Sequence, residues 1–135
     1  MGPSSDALVG RMRPPTTVLY RAVGRDELDL IRKRGFRAFP PPPLDQRVLK
    51  PMLTNEYAFE VAQDWSKEKS QQFSGYVLQF QVETAFLDRH APHKVGGSRH
   101  REYWIPVDEL DEFNGSIRGR IELVAELHGV PDDAA

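Results

Sequence analysis

The heptapeptide His100-Arg101-Glu102-Tyr103-Trp104-Ile105-Pro106 places one carboxylate between basic residues and an aromatic pair. Its composition predicts the start of a strand, in which Glu102 and Trp104 point to the same face. A carboxylate that shares its face with an indole is poorly solvated, so Glu102 is the leading candidate for a catalytic group. The alternative is a surface glutamate that pairs with Arg101 or Arg99.

A second candidate lies in the first predicted strand, residues 17–23, where Arg21 shares a face with Leu19. An arginine in the middle of a sheet needs an anionic partner, and no acid is adjacent to it in the sequence. A planar guanidinium at a fixed position can bind a phosphate bidentately. The alternative is an edge-strand cation that reaches an ordinary surface partner.

Composition limits the classes of function. The chain has 135 residues, enough for one domain with its own core, and no cysteine, which excludes disulfides, cysteine-ligated metals and cysteine nucleophiles. Its 18 Lys and Arg against 20 Asp and Glu give a net charge of −2, so no global attraction to nucleic acid or to acidic membranes is expected. Because no signal peptide or membrane span is evident, the expected location is the cytoplasm, or outside the cell without a classical signal peptide.

Periodicity and capping signals predict the elements that position these candidates. A short helix is expected at residues 26–34 and a longer one from Asn55 to about residue 69, with Thr54 as its N-cap. Alternating apolar residues predict strands at 76–82 and 117–127, the latter with Ile121, Leu123, Ala125 and Leu127 on one face. Residues 36–50 are expected to be a connection and 85–101 a mobile loop with Gly96-Gly97.

This order of elements, with helices early and strands late, predicts an α+β fold. The expected organisation is a flexible tail at residues 1–16, a single domain at 17–128 and a second flexible tail at 129–135. The common phosphate-loop, hydrolase and metalloprotease motifs are absent from the sequence. His90, His93 and His100 match no helix face, so no metal is expected.

Three short motifs follow one another along the chain, and their order is informative. They are Tyr20-Arg21 on the first strand, Leu53-Thr54-Asn55 before the second helix, and His100-x-Glu102 at a later strand. Together they resemble the ADP-ribosyltransferase fold in its arginine–serine–glutamate class, the class of the cholera-like and clostridial toxins. The resemblance covers roughly residues 17–127 and implies two mostly antiparallel sheets that form a central NAD cleft.

The resemblance also implies roles for these residues. Tyr20 and Arg21 would hold the diphosphate of NAD, and Thr54 and Asn55 would shape the nicotinamide pocket. Glu102 would be the catalytic carboxylate and His100 the catalytic-site residue that engages the acceptor. The sequence departs from the family pattern twice, because Leu53 and Asn55 replace two serines and His100 replaces a glutamine or glutamate.

The chemistry of the residues agrees with this assignment. Cleavage of the bond between nicotinamide and ribose develops positive charge on the sugar, which an ionised Glu102 would stabilise. Nicotinamide needs an aromatic wall, for which Tyr57, Phe59 and Trp104 are candidates, although each is an ordinary core residue type as well.

The sequence therefore predicts an NAD-dependent ADP-ribosyltransferase that modifies a macromolecule and releases nicotinamide. NAD is expected as a substrate, and a protein acceptor is favoured over nucleic acid. A role as a toxin or effector, with an antitoxin or immunity protein as partner, follows from the resemblance alone. The alternative is a non-catalytic interaction or nucleotide-binding module of the same fold, and an NAD-using RNA 2′-phosphotransferase is disfavoured by the lack of a basic stripe.

Overall fold

The computed structural model describes residues 14–42, 46–68, 74–95 and 100–128, which form an α+β fold of antiparallel strands and short helices. The tails predicted at residues 1–16 and 129–135 lie outside these ranges, apart from residues 14–16, and Thr16 already belongs to the first strand. Within the described part of the chain, no helix is long and apolar enough to span a bilayer.

The strands are β1 (Thr16–Val23), β2 (Val48–Leu49), β3 (Ser74–Glu83), β4 (His93–Lys94), β5 (Arg101–Glu102), β6 (Ile105–Pro106) and β7 (Ile117–His128). The α-helices are α1 (Arg25–Lys33), α2 (Asn55–Glu68), α3 (Thr84–Leu87) and α4 (Leu110–Gly115), the last preceded by a 3₁₀ turn at Val107–Glu109. The predicted strands at 17–23, 76–82 and 117–127 and the predicted helices at 26–34 and 55–69 are confirmed, with small shifts of their ends.

The long strands form one antiparallel sheet in the order β1-β3-β7. A second set of short strands continues from its β1 edge, because Met52 bridges Tyr20 on one side and Glu102 on the other. Backbone hydrogen bonds of 2.8 Å and 2.6 Å join Tyr20 and Met52 in both directions. Residues paired across strands point to the same face, so Tyr20, Met52 and Glu102 lie side by side on one surface.

The two faces of the sheet bury different cores. On one face, which we call the α1 face, Leu19, Leu78 and Phe80 pack in the same cluster as Leu28 and Ile31 of α1. The opposite face, the α2 face, carries a smaller cluster of Ala22, Met52, Tyr57, Ala58, Ala62 and Val77. Glu102 belongs to the α2 face because it is the cross-strand partner of Met52.

Local sequence explains the helix boundaries. In α1, Asp26 and Glu27 lie at the positive end of the helix dipole and Arg32 and Lys33 at the negative end. Gly35 follows with a φ of +70°, a conformation that glycine adopts without steric cost. The charges stabilise the two ends of α1, and the helix ends just before Gly35.

Helix α2 packs very closely on the sheet. A Cβ atom added to Gly75 would lie 2.6 Å from the carbonyl oxygen of Ala62. Only glycine in β3 and a small residue in the helix allow this approach, which holds the middle of α2 close against the α2 face. The predicted inward alanines, Ala58 and Ala62, are both fully buried, and the side chain of Trp65 lies outside the described part.

One prediction for β7 is wrong, namely that Ile121, Leu123, Ala125 and Leu127 share a face. Val77 pairs with Ala125 whereas Leu78 pairs with Leu123, so Val124 is an extra residue in β7 at this point. Such a bulge reverses the alternation of side chains. Ile121 therefore packs on the α1 face, and Ala125 and Leu127 pack on the α2 face.

Two segments that were predicted to lack regular secondary structure contain short strands, and one of them also contains a helix. Residues 36–50 were expected to form only a connection, yet β2 pairs with β6. Residues 85–101 were expected to form a loop, yet they contain most of α3 and the strand β4, which pairs with β5. Gly96-Gly97, on which the prediction of mobility rested, lies outside the described residues.

Candidate active site

Glu102 is a buried carboxylate on the α2 face, with 4% of its surface exposed. The hydroxyl of Tyr57 donates a hydrogen bond of 2.8 Å to Oε1, and the indole Nε1 of Trp104 donates one of 2.7 Å to Oε2. Each carboxylate oxygen thus has one neutral donor. Two such bonds fix the orientation of the group while leaving its negative charge in place.

The start of α2, strand β5 and the residues between β5 and β6 build this site. Glu102 is the last residue of β5, and Trp104 lies between β5 and β6, so the continuous strand expected here is interrupted. The indole of Trp104 nevertheless lies beside the carboxylate, as its bond to Glu102 shows. Tyr57 lies in the first turn of α2, where its backbone N–H donates a bond of 3.1 Å to the side-chain oxygen of Thr54. This bond is the predicted N-cap, and it sets the position of the turn that carries Tyr57.

No cation balances the charge of Glu102 among the side chains that the structure describes: none of them forms an ion pair with it. Burial, the hydrogen bond to Glu102 and the negative charge of Glu102 together raise the pKa of Tyr57 to about 12, with burial the largest cause. Tyr57 is therefore protonated at neutral pH and acts as a donor. The result is a desolvated negative charge held by neutral groups.

Each of the two donors is covered by a histidine ring. The ring of His100 stacks on Tyr57 with centroids 4.6 Å apart, and its Nε2 lies 3.2 Å from Oε2 of Glu60. The ring of His93 stacks on Trp104 with centroids 3.8 Å apart and an angle of 8° between the planes. His93 reaches this position because β4 pairs it with Glu102.

The structure brings together most of the residues that the sequence predicts for the site. The bonds and stacks above join four of them: Tyr57 and Trp104 both bond to Glu102, and His100 stacks on Tyr57. Thr54 acts through the helix cap, and Tyr20 lies two strands away on the same face. Of the remaining candidates, Asn55 is exposed at the start of α2, and Phe59 is 40% exposed.

Arg21 lies apart from this group. It follows Tyr20 in β1 and so points to the opposite, α1 face, where it makes a bidentate ion pair with Glu27 of α1. The two bonds measure 2.7 Å and 3.0 Å, and the side chains of Arg21 and Glu27 are 13% and 25% exposed. The anionic partner that the sequence did not show next to Arg21 is thus six residues away, across the turn into α1. The role of Arg21 in binding NAD stays a prediction.

Two residues near the carboxylate were missed as site residues. Lys50 lies with its Nζ 5.5 Å from the centroid of the Trp104 ring, and His93 covers that ring. Lys50 follows the two-residue strand β2, and His93 belongs to a strand equally short. No local pattern brings either to Trp104, because their positions follow from long-range strand pairing.

The three histidines considered as metal ligands have separate partners. His90 bonds to Glu109, with Nε2 2.9 Å from Oε1, whereas His93 stacks on Trp104 and His100 lies beside Glu60. Among the residues that the structure describes, no group of three or more His, Asp or Glu is arranged to hold a metal ion.

Comparisons with protein-family models, with curated proteins and with solved structures gave no match. Function is therefore inferred from the geometry of the Glu102 site.

Proposed function

We propose that this protein is an NAD-dependent ADP-ribosyltransferase of the arginine–serine–glutamate class, with Glu102 as its catalytic carboxylate. The observation that carries the proposal is the environment of Glu102: a buried charge, one neutral donor on each oxygen, and no described cation beside it. A protein usually pairs or neutralises a buried carboxylate, so this arrangement is costly for stability alone. It suits a site where positive charge appears only during a reaction.

The proposed reaction supplies such a charge. The bond between nicotinamide and C1′ of its ribose breaks, and nicotinamide leaves with the electron pair. The ribose becomes oxocarbenium-like, and the negative charge of Glu102 lowers the energy of this state. A nucleophile of the acceptor then forms a bond to C1′ and loses its proton to solvent. ADP-ribose is thereby joined to the acceptor with retention of all atoms except the released nicotinamide and proton.

The surroundings of Glu102 support this chemistry in two ways. Burial lowers the local dielectric constant, so the attraction between the carboxylate and the developing cation is stronger than it would be in water. The bonds from Tyr57 and Trp104 fix the carboxylate before the reaction, which removes the cost of orienting it in the transition state. His100 stacks on Tyr57, and we assign to it the contact with the acceptor.

A second candidate is a non-catalytic module of the same fold that binds a partner or a nucleotide. The bidentate pair between Arg21 and Glu27 favours it, because the cation that the family resemblance assigns to the diphosphate is already engaged. This module would bind its ligand without releasing nicotinamide, which separates the two candidates experimentally.

The test uses NAD labelled in the ADP-ribose part and cell lysate as the source of acceptors. Wild-type protein is expected to transfer the label to a protein acceptor and to release nicotinamide. Glu102→Gln keeps the shape of the side chain and removes its charge, so the rate should fall by a hundredfold or more, on the order of 3 kcal/mol in activation free energy. Glu56→Gln, an exposed residue of the same helix as Tyr57, is the matched control and should retain the wild-type rate.

Equal transfer by wild type and Glu102→Gln would exclude Glu102 as the catalytic group. If wild type releases no nicotinamide with any lysate, the non-catalytic module becomes the better explanation. A label that appears in RNA rather than protein would retain the catalytic site and change the class of acceptor.

A further inference from the structure

Exposed cations gather where the end of α1 meets strand β7. The carbonyl oxygen of Phe36, just after α1, accepts a bond of 2.7 Å from the backbone N–H of Ile121. This bond places the peptide unit between Phe36 and Arg37 beside the one between Arg120 and Ile121. Arg37 and Arg120 are therefore carried by neighbouring segments, although they lie far apart in the sequence, and both are exposed.

The turn that makes this junction is strained. Gly35 and Phe36 have φ angles of +70° and +59°, in the left-handed region that a bulky residue such as phenylalanine rarely adopts. The bond to Ile121 holds the turn, together with a bond of 3.0 Å from the N–H of Phe36 to the carbonyl oxygen of Ile31. The ring of Phe36 packs against the core of the α1 face. The protein thus keeps a costly conformation that fixes the end of α1 against β7.

The last turn of α1 adds two cations and an exposed apolar side chain. Leu30 is 44% exposed, and Lys33 and Arg34 follow it by three and four residues. Residues at these spacings are neighbours on one face of a helix, so the two cations flank Leu30. We call Leu30, Lys33, Arg34, Arg37 and Arg120 the basic patch.

The positive charge of the basic patch is not balanced within the part of the chain that the structure describes. Asp29, the last acid of α1, pairs with Arg32 at 3.0 Å. Glu122, the first acid after Arg120 in β7, forms no ion pair with it. None of the four cations of the patch forms an ion pair with a described residue. Four unpaired like charges around one apolar side chain attract an anionic ligand.

The mixture of charged and apolar surface distinguishes between classes of ligand. Nucleic acids are bound by cations that follow the phosphate backbone, and single strands also by exposed aromatic side chains that stack on the bases. The basic patch contains no aromatic residue, and it has a leucine among its cations. A single leucine is also too little apolar surface for stable insertion into a membrane. An acidic protein segment with one apolar side chain matches both the charge and the leucine.

We propose that the basic patch is a docking surface for an acidic segment of a partner protein. Carboxylates of this segment pair with Arg34, Arg37 and Arg120, and an apolar side chain of the segment packs on Leu30. The inference does not depend on the proposed NAD chemistry, because the patch contains none of the residues placed around Glu102.

The test measures binding of synthetic peptides to the full chain by calorimetry. The probe is a short peptide of glutamates with one leucine at its centre, and the comparison peptide has serine in place of the leucine. Arg37→Gln/Arg120→Gln removes two charges of the patch and should weaken binding of both peptides by about tenfold. Arg25→Gln/Arg47→Gln removes two exposed cations outside the patch and should change either affinity by less than about twofold.

A second variant examines the apolar contact. Wild type should bind the leucine peptide several-fold more tightly than the serine peptide, because only the leucine buries apolar surface on Leu30. Leu30→Ser should abolish this preference and leave binding of the serine peptide unchanged. Melting temperatures verify that each variant is folded.

The opposite outcomes are equally distinct. Equal peptide affinities of the two double variants, or no binding of either peptide to wild type at about 1 mM, would overturn the docking surface. An unchanged preference for the leucine peptide in Leu30→Ser would overturn the apolar contact. Tighter binding of a duplex RNA or of anionic lipid vesicles than of the leucine peptide, lost in Arg37→Gln/Arg120→Gln, would overturn the acidic protein as the partner.

Discussion

Arg21 with Glu27 and Glu102 with its two donors are two ways of holding a charged side chain on opposite faces of the same sheet. At the first site a guanidinium and a carboxylate meet at 2.7 Å and 3.0 Å, and their charges cancel. At the second site a carboxylate meets a phenol and an indole at 2.8 Å and 2.7 Å, and its charge remains. The bond lengths are alike, so the difference lies in the net charge.

We propose that this difference separates a stabilising contact from a catalytic one. The Arg21 pair links β1 to α1, and it has no charge left with which to attract a ligand. The Glu102 site satisfies its hydrogen bonds but keeps a negative potential next to an accessible aromatic ring. Natural proteins tolerate such costly arrangements mainly where the charge serves a function.

Removal of one donor to Glu102 should have the largest effect on stability. Tyr57→Phe leaves Oε1 of a buried carboxylate without its hydrogen bond, which should lower the free energy of unfolding by about 2 kcal/mol. Urea denaturation measures this difference. Tyr103→Phe, which removes the same atom from a half-buried tyrosine not bonded to Glu102, should cost less. Equal losses in the two variants would mean that the hydrogen bond from Tyr57 to Glu102 adds no more stability than the hydroxyl of an unrelated tyrosine.

The same tyrosine gives a pH dependence of defined sign. Its pKa is raised from 10.0 to about 12 in the folded protein, so the folded state retains the proton longer than the unfolded state. Stability from this group is complete below pH 10.0 and is lost as the pH rises towards about 12. The difference in unfolding free energy between wild type and Tyr57→Phe should therefore shrink in this range. A constant difference across it would contradict the raised pKa.

Removal of the ion pair between Arg21 and Glu27 should lower stability less than removal of the Tyr57 hydroxyl. Arg21→Met leaves a partly exposed carboxylate on Glu27, and we expect the free energy of unfolding to fall by about 1.5 kcal/mol, between the values typical of exposed and of buried pairs. Nicotinamide release should change less than about twofold, because Arg21 lies on the face away from Glu102. A large loss of NAD binding with an unchanged fold would instead restore the role of Arg21 predicted from the sequence.

The helix cap at Thr54 should give the smallest of these effects. Thr54→Ala removes the acceptor of the Tyr57 backbone N–H and should lower the free energy of unfolding by about 1 kcal/mol. Thr54→Ser retains a hydroxyl at the cap and is the matched control. Equal stability of Thr54→Ala and wild type would show that the cap does not hold the start of α2 in place.

Features set by neighbouring residues could be predicted from the sequence. The closeness of Glu102 and Trp104 was expected from their spacing of two, although β5 ends at Glu102, and the cap at Thr54 follows from its place before the helix. The face of Arg21 relative to Leu19 was also predicted. The partner of Arg21 could not be predicted, because Glu27 lies six residues away and reaches Arg21 through the turn between β1 and α1.

Features set by long-range pairing could not be predicted. The bulge at Val124 changes which residues of β7 face each core, and the hydrophobic pattern of β7 contains no sign of it. Lys50 and His93 reach Trp104 only through pairing of two-residue strands, which are too short to produce a periodic signal.

The central claim is that the charge of Glu102, rather than its shape, promotes release of nicotinamide. The most direct test is single-turnover nicotinamide release by purified wild type and Glu102→Gln, with NAD affinity measured in parallel by calorimetry. We expect the rate constant to fall by about a hundredfold or more, while the dissociation constant for NAD changes less than about threefold. Equal rate constants, or a loss of rate fully explained by weaker NAD binding, would contradict the claim.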